Sequence, residues 1–126
     1  MDAPVYEVLQ AATTISKTLP VLIGKVIPCG GYDYVTLFVT YVKGDETGLI
    51  LTPSLMATAT GTAHQQTVWS ADATATRTAK AYTLTASANT YITIDVTGVP
   101  YIMFTQGGSN NDGTPTGTLA ASYTMK

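Results

Sequence analysis

Between Tyr91 and Val96 apolar and polar side chains alternate strictly, with Ile92, Ile94 and Val96 set against Thr93 and Asp95. Successive side chains of a strand point to opposite faces, so such a run buries one face and wets the other. The pattern recurs between turn residues along the chain. Residues 34–43 place Val35, Leu37, Val39 and Tyr41 on one face and Thr36 and Thr40 on the other. Phe38 and Val42 interrupt that alternation, which predicts that both faces of this strand are at least partly covered. Residues 80–85 set Tyr82 and Leu84 against Thr83 and Thr85, and residues 118–125 turn Leu119, Ala121 and Tyr123 inward. Further strands are expected at 21–27, 49–52 (stopping at Pro53, with 54–56 continuing past a bulge), 66–70 and 101–106. Residues 71–79 and 106–117, rich in small and turn-forming residues, read as exposed loops.

Seven or eight strands with a turn signal about every ten residues predict an all-β, single-domain antiparallel β-sandwich, jelly-roll-like, with a closed β-barrel as the alternative. Threonine supplies about a fifth of the 126 residues, and its branched side chain suits a pleated surface. Residues 1–19 fit this scheme least: Val5, Val8, Leu9 and Ala12 have helical spacing, yet Thr13, Thr14 and Ile15 favour a strand. They are read as an N-terminal arm that becomes ordered against something else, with 20–126 as the sandwich domain.

Charge narrows the partners. Charged residues make up 11% of the chain and the net charge is -2, against about 25% charged in ordinary soluble domains. Phosphate neutralisation demands a basic footprint, so nucleic acid is not expected as a partner. The first twenty residues lack a basic start followed by a long apolar run, and the stretch 20–27 is broken by Gly24 and Lys25. The expectation is a chain made in a cytoplasm, without signal peptide or membrane anchor. The single cysteine, Cys29, allows no intrachain disulfide.

Catalytic chemistry finds few candidates. His64 is the only histidine and falls in a Thr/Ala/Gly-rich stretch, where a surface role is expected. Cys29 lacks an electropositive neighbour in sequence to lower its pKa and reads as a small buried hydrophobe. Asp45 and Glu46 are adjacent in a turn, where their side chains are expected to diverge and stay solvated. The run Ser109, Asn110, Asn111, Asp112, Gly113 is the nearest approach to a calcium loop, but one carboxylate is poor provision for that ion. No enzyme activity, cofactor or metal site is expected.

The segments Ile23-Gly24-Lys25-Val26-Ile27, Gly31-Tyr32-Asp33-Tyr34 and Val35 to Lys43 followed by Gly44-Asp45-Glu46-Thr47 are similar to small β-sandwich virion structural proteins of tailed bacteriophages. So is the stretch Tyr91 to Val99, as is a final strand after a Gly-rich loop. The resemblance covers about two thirds of the chain and implies a capsid decoration (cement) protein. Such a protein binds and stabilises the major capsid protein lattice, or another virion protein, using an arm and loops. It further implies location in the virion after synthesis in the bacterial host cytoplasm, and a homo-oligomer, a trimer being one arrangement it allows. The alternative is a phage tail, receptor-binding or carbohydrate-binding module. The candidate interface follows from the arm's apolar residues, Val5, Tyr6, Val8, Leu9 and Ile15, and from Gln106, Asn110, Asn111 and Asp112 of the long loop.

Overall fold

The computed structural model describes residues 5–16, 21–65, 67–69, 77–79, 81–108 and 114–126, with backbone alone for 67–69 and 77–79. Its strands are β1 (Val5–Thr14), β2 (Val21–Leu22), β3 (Ile27–Pro28), β4 (Tyr34–Val42), β5 (Leu49–Met56), β6 (His64–Gln65), β7 (Thr67–Trp69), β8 (Arg77–Ala79), β9 (Tyr82–Leu84), β10 (Ala88–Asp95), β11 (Tyr101–Gly108) and β12 (Thr118–Met125). One sheet has the order β1-β12-β4-β10. The other has the order β2-β11-β5-β6, with β3 also on β11 and β9 also on β5. All these pairings are antiparallel.

Two of the strands are broken rather than extra. β2 and β3 lie against opposite ends of β11, separated by Gly24 with its φ of 63°. β6 pairs with Ser54 and Leu55 and β9 with Leu49 to Leu51, so they form one interrupted strand along β5. The β7–β8 hairpin is inserted between them. Counted this way, the frame is eight strands in two four-stranded sheets. The first, eighth, third and sixth form one sheet; the second, seventh, fourth and fifth form the other. That is jelly-roll order, and the sheets do not close into a barrel.

The alternating strands bury the faces the sequence predicts. Val35, Leu37, Val39, Tyr41, Ile92, Ile94, Val96, Leu119, Ala121 and Tyr123 are buried, as are Ile27, Leu49, Leu51, Ile102 and Phe104 from the facing sheet. Removal of a side chain of this size from water contributes about 1.5–3 kcal/mol, so these two inner faces hold the domain together.

Several expectations change. Residues 5–14, read as part of an arm with no place in the sandwich, form the edge strand β1 against β12. Val8 pairs with Ser122 and Gln10 with Ala121, so two steps on β1 match one on β12 and Leu9 is the extra, inward residue of a bulge. A second register shift follows between Gln10 and Thr13. These irregularities give a strand inward positions that are not strictly two apart, which imitates helical spacing.

Pro53 does not stop β5, which continues to Met56. It is paired with Phe104, whose carbonyl accepts from Ile23 N on the far side. The Pro53 nitrogen therefore faces away from β11, into the gap between β9 and β6, where a missing N–H costs no ladder bond. Residues 77–79, expected in a loop, are strand β8. Residues 106–108, also expected in a loop, complete β11, and Gln106 is buried with its Oε1 accepting from Ser16 N at 3.2 Å.

Candidate partner-binding face

The outward positions of the four-stranded sheet are unusually apolar. Tyr6 and Val8 on β1 are 66% and 60% exposed, Phe38 on β4 is 41% exposed and Tyr91 on β10 is 65% exposed. The register puts Val8 opposite Ser122, Ser122 opposite Phe38, and Phe38 opposite Tyr91, in one row across all four strands. Neighbouring strands lie about 4.8 Å apart. Small Ser122, and Ala120 on the same face of β12, therefore leave a dip between the large side chains of β1 and β4. The result is a trough of about 450 Å³ with Tyr6 and Val8 on one wall and Phe38 and Tyr91 on the other.

Neutral groups complete the lining: Gln10, Thr40, Asn89 and Thr90. Among the described residues no carboxylate, ammonium, guanidinium or imidazole lines it. The Phe38 and Tyr91 rings stand 6.1 Å apart at 42°, a tilted pair within the favourable range. Beside them Thr36 and Thr93 share a hydroxyl hydrogen bond of 3.0 Å across the strands. A surface of this kind can be covered without stripping water from a charge, the largest penalty an interface faces.

Two polar clusters fix the sheet beneath. Glu46, expected to be solvated, is fully buried. Its Oε1 accepts from Gly117 N at 2.9 Å and Thr116 N at 3.2 Å, and its Oε2 accepts from Gly44 N at 2.9 Å and from the Tyr41 hydroxyl. Burial pushes this carboxyl upward, but the Tyr41 and backbone donors outweigh it and bring it to about 2. The carboxylate thus ties the turn after β4 to the start of β12, drawing together the two central strands of the sheet. On β1, Glu7 Oε1 meets Lys25 Nζ at 2.6 Å and Oε2 accepts from the Tyr123 hydroxyl at 2.7 Å. Lys25 first, then Tyr123, holds the Glu7 carboxyl below its usual range.

The candidate interface residues divide. Tyr6 and Val8 meet in the trough, Val5 is half-buried against the core, and Leu9, Ile15 and Gln106 are buried. Asn110, Asn111 and Asp112 lie outside the described residues. Phe38, Tyr91, Ala120 and Ser122 were missed. Phe38 does carry a signal, the break in alternation, which predicts a partly covered outer face; in the structure it is 41% exposed. Cys29 is buried as expected, its thiol donating to the Val99 carbonyl at 3.3 Å and pushed up to about 11 by burial. His64 is exposed on β6. Among the described residues no group of three or more His, Cys, Asp or Glu is placed to hold a metal ion.

No family model and no curated protein matches the chain. Solved structures do. A crystal structure of the SPBc2 prophage-derived protein YomS matches at a TM-score of 0.55 and 13% identity, over 99% of this chain and 96% of that one. The infectious bursal disease virus VP2 subviral particle matches at a TM-score of 0.59 and 10% identity, over 98% of this chain but 32% of that one. A crystal structure of an infectious bursal disease virus particle gives a TM-score of 0.54 at 11% identity, over 98% and 31% of the two chains. At these identities the likeness is one of fold: this chain has the sandwich of a prophage-derived protein and of about a third of a virus particle protein.

Proposed function

We propose that this domain is a non-enzymatic structural component of a virion, acting as a capsid decoration (cement) protein whose four-stranded sheet seats on the major capsid protein lattice. The observation that carries the reading is the uncharged, aromatic-walled trough on an otherwise well-packed sandwich. Burial of Tyr6, Val8, Phe38 and Tyr91 against a partner contributes about 25 cal/mol per Å² of apolar area, less the cost of association. Many copies on one shell add avidity. The fold shared with a prophage-derived protein and with virus particle proteins supports a viral structural role. The side chains suited to catalysis support it too: Cys29 is buried and hard to ionise, and both Glu46 oxygens are taken up by donors.

On this reading the protein resides in the virion after synthesis in the host cytoplasm. The trough takes over the role that the sequence assigned to an arm. Residues 5–14 are part of the sheet, so deleting 1–19 strips an edge strand and tests folding rather than attachment. The direct test is to quantify the chain in purified virions of the virus that encodes it. A constant ratio to the major capsid protein is expected, and absence from the particle overturns the proposal. A second reading, a receptor-binding or carbohydrate-binding module, is favoured by one feature: aromatic rings beside Asn89, Gln10 and Thr40 with no ionised group suit a neutral glycan. Binding of the free protein to host surface polysaccharide, abolished by Tyr91→Ala, is its signature.

A further inference from the structure

The molecule guards most of its sheet edges. β2, β3, β6 and β9 are only two or three residues long, and β1 is bulged twice and carries the Glu7–Lys25 ion pair. Short strands, bulges and charges are the ordinary devices that prevent edge-to-edge pairing. β10 has none of them. It runs eight residues from Ala88 to Asp95 in unbroken register with β4, without proline, and its one charge sits at the end.

The direction of its free groups follows from the ladder. Val96 N donates to Asp33 O at 2.8 Å, which continues the β10–β4 pairing and fixes its phase. On the other side of β4, Tyr34 exchanges hydrogen bonds with Lys126, so the even residues of β4 face β12 and the odd ones face β10. Ile94, Ile92, Thr90 and Ala88, opposite Val35, Leu37, Val39 and Tyr41, therefore spend their backbone groups on β4. The N–H and C=O of Asn89, Tyr91, Thr93 and Asp95 point to the open edge, where no strand among the described residues meets them.

We propose that this edge pairs with β10 of a second copy, antiparallel about a two-fold axis at Ile92. This register is self-complementary in three respects. Asn89 falls opposite Asp95, and Tyr91 opposite Thr93, so every free N–H and C=O of the four residues is used reciprocally. Inward residues meet inward residues, Thr90 against Ile94 and Ile92 against Ile92, which keeps the pleat in phase. The one charge, Asp95, meets the Asn89 amide rather than its own kind. The product is an eight-stranded sheet in which the aromatic row of one copy continues diagonally into that of the other. A closed two-fold dimer results, distinct from the trimer that the resemblance allows.

Amide hydrogen exchange on the full chain across a concentration series, with mass measured by sedimentation, tests this. At low concentration the amides of residues 89, 91, 93 and 95 exchange fast while those of 90, 92 and 94 are protected; protection of the odd set then rises with the dimer fraction. Thr93→Pro removes an edge-facing N–H without touching the β4 ladder and is expected to weaken the dimer by roughly tenfold or more. If that variant does not fold, paired cysteines decide. Asn89→Cys with Asp95→Cys is expected to cross-link two copies, and Asn89→Cys with Thr93→Cys is not. A monomer at all concentrations with fast odd amides, or cross-linking only in the shifted pair, overturns the proposal. Attachment to shells is read separately, so failure here leaves the lattice reading standing.

Discussion

Replacing Glu46 by Gln changes one oxygen to an amide and leaves the side-chain shape intact. Each Glu46 oxygen serves two donors, Gly117 N and Thr116 N on one side, Gly44 N and the Tyr41 hydroxyl on the other. Glutamine keeps one acceptor oxygen and turns an NH₂ toward the other pair. One or two donors then lose their partner, at about 1–3 kcal/mol each. A second route gives a similar figure. A carboxyl brought from 4.5 to about 2 on folding corresponds to about 3 kcal/mol of stability. For a chain of this length about 3 kcal/mol lowers Tm by roughly 10 °C. The sign of the pH dependence follows from the depressed folded-state value. The contribution is complete above 4.5 and is lost as pH falls from there toward about 2. Thermal melts of parent and Glu46→Gln by circular dichroism at a series of pH values measure this. The gap is expected to be widest near neutrality and to narrow below 4.5. A variant melting within about 3 °C of the parent at pH 7 refutes the reasoning, as does a gap that stays constant down to pH 2.

Other consequences are simpler. Ile94→Ala, in the core, is expected to lose about 2–5 kcal/mol, and Thr93→Ala, one residue away on the outer face, well under about 1 kcal/mol; equal urea midpoints contradict the register. Gly24 has a φ of 63° and an added Cβ collides with the Leu9 carbonyl oxygen and side chain, whereas Gly98 has a φ of 79° with open space around it. Gly24→Ala should therefore destabilise clearly more than Gly98→Ala, by roughly 1–3 kcal/mol in addition; similar urea midpoints for the two variants contradict this. Cys29, buried and pushed up to about 11, is expected to react with a thiol reagent at pH 8 only as fast as the domain unfolds. Immediate labelling of the native protein contradicts its placement.

The inner faces were legible because β4, β10 and β12 place an apolar residue at each central inward position, two apart, and a one-residue slip would have exposed Ile92 and Ile94 or buried Asp95. The topology was not, since which strands pair depends on contacts such as Tyr41 with Glu46 that link distant turns. β1 was obscured by its two register shifts and by apolar Val8, which faces outward beside inward Leu9, so that the apolar positions mimic helical spacing. Glu46 was misread because its four donors come partly from Thr116 and Gly117, 70 and 71 residues away. The trough was half-visible: Tyr6, Val8 and Phe38 each looked out of place in sequence, but only the order β1-β12-β4-β10 sets them in one row around Ser122. Sequence shows a residue that breaks a pattern; the fold shows whether several such residues share a surface.

The central claim is that the outer face of the four-stranded sheet attaches this domain to a capsid lattice. The most direct measurement is co-sedimentation of purified full-length protein with capsid shells that lack it, comparing the parent with a Phe38→Ser, Tyr91→Ser double variant. Both residues are exposed, so the variant is expected to melt within a few degrees of the parent. The account predicts that the parent saturates the shells at a fixed number of copies per capsid subunit, while the folded variant binds at least tenfold more weakly. Undiminished binding by the folded variant would contradict it.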